Sequence, residues 1–423
     1  MSTIAKPADH IAPVEDGLPP WMRPATWAWA ATSVAAALYL SACGGGGSSD
    51  PSGGSAQGGF PAPAPGVALG TSIQAAQATA DNTDPNSSCG AISRNASGSD
   101  DGFYWEIGTA HGIVSDPVSG LVAAGSVQPV GVSGTTYSRT TPLSIASASK
   151  WMYGAYVTEK LATSGNGTWS LPAAAIPYLN FTSGYDNMVD TGCDFVSTVG
   201  KCLDLSPNDT QTAADVGRFD YNSGHLEVLE GGGDPAIATL MNGAGHTDAD
   251  LATELMNAYA AKGAVVQLSF KVPLLAGGIS TTAADYAAFL QGMLRTDHPL
   301  NMSYFLRPTA DDPYAVCTDP HSASCVDGSG TSLAVYSPVP YGIEWHYSIT
   351  HWIEDDPATG DGAYSSPGKF GFYPWIDKTK VYYGIVARYD NNATGIPSQA
   401  PYYKSVVCGE AIRKAFMTGV AQP

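Results

Sequence analysis

Charge is scarce in this sequence, and positive charge is scarcest. Only 13% of the 423 residues are charged, with 19 Lys and Arg against 38 Asp and Glu, a formal net charge of −19. Nucleic acid and anionic membrane surfaces both need a basic footprint, so neither is expected as a partner. Histidine and cysteine are also few, eight and seven, and they form no zinc-type ligand spacing. The acidic run Glu354-Asp355-Asp356…Asp361 lacks the alternation of a calcium loop and reads as a solvated loop. No metal and no cofactor are expected. An apolar run at residues 24–40 is marginal against the roughly 20 residues a membrane span needs. There is no internal repeat. With 44% hydrophobic residues the chain is nevertheless globular, and long enough for more than one small core.

The apolar run is followed at once by a cysteine and the glycine-rich stretch "GGGGSSDPSGGS". Leu40-Ser41-Ala42-Cys43 resembles the lipobox of bacterial lipoproteins. That resemblance implies a signal peptide over 1–42, a lipid on Cys43, and export, with the lipid as the sole membrane contact. Lys6 stands against Asp9, Glu15 and Asp16, whereas Met22-Arg23 would give a normal positive start, so translation is expected to begin at Met22. Residues 43–86 are mostly Gly, Ser, Ala, Pro and Gln, too poor in large apolar groups to order themselves. They read as a flexible tether reaching roughly 35 Å on average. The remainder, 87–423, reads as one folded domain.

Six cysteines remain after Cys43, an even number suited to an oxidising compartment. Cys193 and Cys202 are close in sequence, as are Cys317 and Cys325, each pair in a polar loop. Cys89 and Cys408 would then join the first folded residues to the last helix. Spacing alone does not prove this among 15 possible pairings.

Strand patterns lie at both ends, "GFYWEIGTAHGIV" and "GLVAAGSVQPV" early, "FGFYPWID" and "KVYYGIVARYD" late. Helical spacing dominates between them, as in "DADLATELMNAYAAKG" with Gly263 as a stop, and in 280–295 with Thr282 and Asp285 as a capping box. A last helix contains "SVVCGEAIRKAFM". The expected class is α+β, an antiparallel sheet from both chain ends flanked by helices. The sheet part is expected at about 87–150 and 276–420, with a helical insert at about 151–275.

Lysine is rare enough that one inside the apolar run "PLSIASASKWMYGAYV" needs a reason. Ser147 and Lys150 are three residues apart, a spacing that puts both on one face of a helix. An apolar setting lowers a lysine's pKa, which fits Lys150 to deprotonate Ser147. A serine at a helix start also has an outward backbone N–H able to hold an oxyanion. The same spacing recurs at Ser366-Pro367-Gly368-Lys369, where Pro and Gly preclude the helix. Two further features follow in order: "RFDYNSGHLEVL" at 218–229, which puts Tyr221 at a turn, and "AGGISTTAADYAAFL" from Ala276.

This order resembles the serine β-lactamase and penicillin-binding-protein clan, in its class C-like branch of carboxylesterases, D-amino-acid peptidases and 6-aminohexanoate-oligomer hydrolases. The resemblance covers roughly residues 100–410 and implies a β-lactamase/transpeptidase-like fold. It implies Ser147 as the acylated nucleophile, Lys150 as its base and Tyr221 as the proton shuttle. Ser223 stands where the clan has an asparagine. The clan's Lys-Thr/Ser-Gly motif has no clean match. Ser366 and Gly368 are the nearest substitutes, with the Lys369 backbone N–H as a second oxyanion donor. Losing that asparagine and lysine points away from β-lactams and D,D-peptides. The expected activity is hydrolysis of a small or oligomeric carboxylic ester through an acyl-enzyme. Small linear amides are the alternative substrates, and a non-catalytic binding protein is the reading from another class.

Overall fold

A computed structural model of the chain describes residues 66–92, 102–128, 134–392 and 395–423. Cys43, Met22 and the segment 1–42 lie outside the described residues. The helices of the described residues are α1 Leu69–Ala80, α2 Ser149–Leu161, α3 Ile176–Leu179, α4 Val199–Leu203, α5 Gly224–Gly231, α6 Asp248–Ala260, α7 Ala283–Leu294 and α8 Pro401–Thr418.

The architecture is α+β. Its main sheet has nine antiparallel strands, ordered Val316–Cys317, His346–Ser348, His351–Glu354, Ala363–Ser365, Tyr373–Ile376, Tyr383–Ala387 and Phe103–Thr109. Gly112–Ile113 and Ala124–Val127 both pair with the far side of Phe103–Thr109. Early strand meets late strand in the middle, with Trp105 opposite Val386 and Ile107 opposite Gly384. All seven residues of Phe103–Thr109 are buried, as a strand covered on both faces requires. A Cβ on Gly409 of α8 would meet Tyr373 and Val386, whereas Tyr383 meets Gln291 of α7. Residues 383 and 386 point to opposite faces, so α7 and α8 cover the sheet from opposite sides.

Two expectations are corrected. Residues 69–80, placed in the tether, form α1 and pack against α8. The buried positions Ser72, Ile73, Ala75, Ala76, Thr79 and Ala80 recur at helical spacing. They are small, so the stripe buries by close approach rather than by bulk. The chain's end seals it: the Gln422 N–H donates to Thr79 Oγ1 at 2.8 Å and the Ser88 N–H to the Pro423 carbonyl at 3.1 Å. The insert is also not purely helical. Leu268–Phe270 is a strand that pairs with Ile279–Thr281, which pairs in turn with Leu143–Ser144. Alternating burial in "LSF" gives the strand its reason. Disulfides join Cys89 to Cys408, Cys193 to Cys202 and Cys317 to Cys325.

Candidate active site

Ser147 sits in a short 3₁₀ turn, Ala146–Ala148, that runs directly into α2. Ala146 just before it has φ +45°, a conformation that costs a non-glycine residue about 1–3 kcal/mol and persists only where surroundings enforce it. Those surroundings are visible. Tyr286 of α7 donates its hydroxyl to the Ala148 carbonyl at 3.0 Å, and the Ile279 N–H donates to Ser149 Oγ at 3.2 Å. The Ile145 N–H is bound by the Ile279 carbonyl at 3.1 Å. The Ser147 N–H has no backbone partner among the described residues. Farther along α2, a Cβ on Gly154 would lie 1.8 Å from Thr350 Oγ1. Glycine there lets the helix seat against the turn joining His346–Ser348 to His351–Glu354.

Lys150 lies one helical turn on, its Nζ 3.0 Å from Ser147 Oγ and 2.9 Å from the Ala276 carbonyl. It is 4% exposed. Burial pushes its pKa down to about 8, against the opposing pull of Asp190 and Glu227. As a neutral amine it can donate one hydrogen to the Ala276 carbonyl and turn its lone pair to the Ser147 hydroxyl. That is the arrangement a general base needs.

Tyr221 enters from the end of Phe219–Asp220, a strand parallel to Ala334–Tyr336. Its ring lies 4.8 Å from Lys150 Nζ and 5.2 Å from the Trp352 ring. Burial raises the Tyr221 pKa to about 12, while hydrogen bonding with the Ser147 and Trp352 side chains acts the other way. The phenol therefore keeps its proton at neutral pH. His225 braces this turn, its ring within 2.7 Å of Ser183 Oγ and 3.0 Å of the Asp220 carbonyl. Burial holds His225 neutral, with a pKa near 3, so it is a strut and not a base.

The late segment differs from its expected role. Ser366 is 1% exposed and donates its hydroxyl to the Ser147 carbonyl at 3.1 Å. Its hydroxyl anchors the Ser147 turn. The Gly368 N–H is held by the Phe372 carbonyl at 2.7 Å; the oxyanion donor expected of this segment is the next N–H, that of Lys369. A Cβ on Gly368 would lie 2.0 Å from the Ile145 carbonyl oxygen. The residue is glycine because two backbones touch there. Gly368→Ala is expected to cost about 1–3 kcal/mol by overpacking and to displace Ser147, lowering both the unfolding midpoint in urea and turnover. Ser223 is turned to Asp190, whose carboxylate its hydrogen bond stabilises. Lys369 lines the cleft beside Ser147. The expected loss of a cleft lysine is thus corrected: one is present, its pKa lowered by burial against the opposing pull of Asp190.

The cleft opens to solvent. Trp345, Trp352, Tyr402, Tyr403 and Val406 form much of its wall, with Ser147 and Tyr221 among its few polar groups. Sequence reasoning missed these walls, and it missed the carboxyls of Asp190 and Glu227. A glutamate inside the apolar run "HLEVLEG" was the one signal available for Glu227.

The chain is similar to β-lactamase-like serine hydrolases of known structure. A putative β-lactamase from Bacteroides dorei is 18% identical with a TM-score of 0.47, over 74% of this chain and 93% of that one. Simvastatin synthase (LovD) from Aspergillus terreus is 11% identical with a TM-score of 0.46, over 81% and 99%. EstCE1, a hydrolase with promiscuous acyltransferase activity, is 14% identical with a TM-score of 0.46, over 82% and 98%. No family model and no curated protein matches the chain.

Proposed function

We propose that this protein is a serine hydrolase that cleaves carboxylic esters through a covalent acyl-enzyme. The observation that carries the reading is the buried Lys150 amine 3.0 Å from Ser147 Oγ, with its pKa drawn down to about 8. Ser147 Oγ attacks the ester carbonyl carbon as Lys150 takes its proton. The Ser147 N–H, pointing out of the turn, supports the oxyanion. Tyr221 gives its proton to the departing alkoxide and recovers one from Lys150. Water then adds to the acyl-enzyme by the reverse proton path, releasing the acid and restoring Ser147.

Preference for esters over amides is supported by Ser223 standing where the clan has an asparagine. The three disulfides support export, and a lipid on Cys43 would tether the domain to a membrane.

A panel of nitrophenyl esters, nitroanilides and a chromogenic β-lactam tests the reading, with chain from residue 66 onward. Ester turnover exceeding anilide and lactam turnover by two orders of magnitude is the expected result. Faster anilide cleavage would instead assign the amide reading. Tyr221→Phe keeps the ring and removes the proton, so a loss of about 10²–10⁴ in kcat is expected, with KM little changed.

A further inference from the structure

Glu227 has no part in the chemistry just described, yet its carboxyl is 0% exposed. It lies on α5, the helix that starts three residues after Tyr221. Its Oε1 accepts the Leu275 N–H at 2.5 Å and the Ala276 N–H at 3.4 Å. The carbonyl of that same Ala276 holds Lys150 Nζ at 2.9 Å. Oε2 has no partner among the described residues.

We propose that Glu227 is a positioning residue: it clamps the Leu275–Ala276 turn to the Tyr221 helix, and so fixes the carbonyl that aims Lys150 at Ser147. The inference rests on the reading of Lys150 as the base.

A carboxyl is costly to bury, and nothing about helix propensity requires one here. A leucine would suit the apolar surroundings of α5 better. What a leucine lacks is an acceptor for two inward-pointing backbone N–H groups, which would otherwise go unsatisfied. Burial and the neighbouring Asp190 and Glu230 push the Glu227 pKa up, and the two N–H groups push it down. The groups acting on Lys150 are Asp190 from the 190–195 turn and Glu227 from α5, with the Tyr221 ring against it. Burial prevails for Glu227 and holds its pKa up, and the two hydrogen bonds from the turn, which need an acceptor and not a charge, are what its carboxyl supplies.

That distinction sets the test. Glutamine keeps the acceptor, methionine only the volume. Three proteins are compared: wild type, Glu227→Gln and Glu227→Met. The readouts are kcat and KM on a nitrophenyl ester, and the rate of Ser147 labelling by a fluorophosphonate across pH 6–11. Glu227→Gln is expected within threefold of wild type on the high-pH plateau. Glu227→Met is expected to label and turn over about 10–100-fold more slowly there, as a small misplacement of a reacting group costs. Its KM should stay within twofold.

Wild-type rates in Glu227→Met overturn the proposal. So does a Glu227→Gln protein as slow as Glu227→Met, since glutamine keeps the acceptor. If Glu227→Met does not fold, amide exchange in wild type and Glu227→Gln decides. Protection of the Leu275 and Ala276 amides in both supports the clamp, and fast exchange overturns it. A wild-type protein that does not label at Ser147 defeats the hydrolase reading itself, a separable outcome.

Discussion

Ser147→Ala is expected to abolish ester turnover to within the background of the remaining site, a loss of about 10⁶ in kcat, as when one member of a catalytic unit is removed elsewhere. The reason is chemical. In the proposed reaction Oγ is the atom that bonds to the acyl carbon, and among the described residues Lys150 hydrogen-bonds no other hydroxyl. The fold should be spared. Ser147 makes its structural contacts through its backbone, the carbonyl accepting from Ser366 Oγ. Unfolding in urea should therefore match wild type within about 0.5 kcal/mol, the usual range for a change away from packed features. A fluorophosphonate should label wild type at Ser147 and leave the variant unlabelled. Undiminished ester hydrolysis by Ser147→Ala would move the nucleophile elsewhere.

The closeness of Ser147 and Lys150 was legible in the sequence because their geometry is local. Three residues along a helix put two side chains on one face whatever else the fold does. The sheet was legible for a similar reason. "FYWEIGT" and "YYGIVA" are bounded strand patterns at opposite ends, and antiparallel pairing of the termini is what a helical insert leaves open. What was hidden depends on distance in sequence. The cleft wall takes Trp345, Trp352 and Tyr402 from separate elements, and no spacing rule joins them. Asp190 and Glu227 act on Lys150 from the 190–195 turn and from α5, and no spacing rule joins either to it.

Ser366 shows a different limit. Its place in the chain was read well enough, since the segment does lie against the Ser147 turn. The direction of its hydroxyl was not, because that follows from where strand Ala363–Ser365 ends and how Gly368 abuts Ile145. A tertiary contact decides it. Helix α1 failed for an opposite reason. Its buried stripe is alanine, serine and threonine, residues that also fill tethers, so composition concealed a periodicity that was present.

Lys150 carries the second large effect, and its pH dependence makes the role specific. Lys150→Met keeps volume in a buried site and removes the amine. The serine hydroxyl is then a weak nucleophile without a base, so a loss of about 10⁴–10⁶ in kcat is expected. Lys150→Arg should be nearly as inactive, because guanidinium does not release its proton in this pH range. An arginine retains charge, so activity that depended on a cation alone would survive in it. The sign of the wild-type profile follows from the pKa near 8. The working form is the neutral amine, so kcat/KM should rise about tenfold per pH unit below 8 and level off above it. Tyr221, raised to about 12, keeps its proton across that plateau. Desolvation is the largest cause of the Lys150 shift and Asp190 the first opposing one. Asp190→Asn should accordingly lower the midpoint of the limb. Measured midpoints that stay fixed in Asp190→Asn, or a wild-type profile that falls with rising pH, would remove Lys150 from the role of base even if its substitution inactivates the protein.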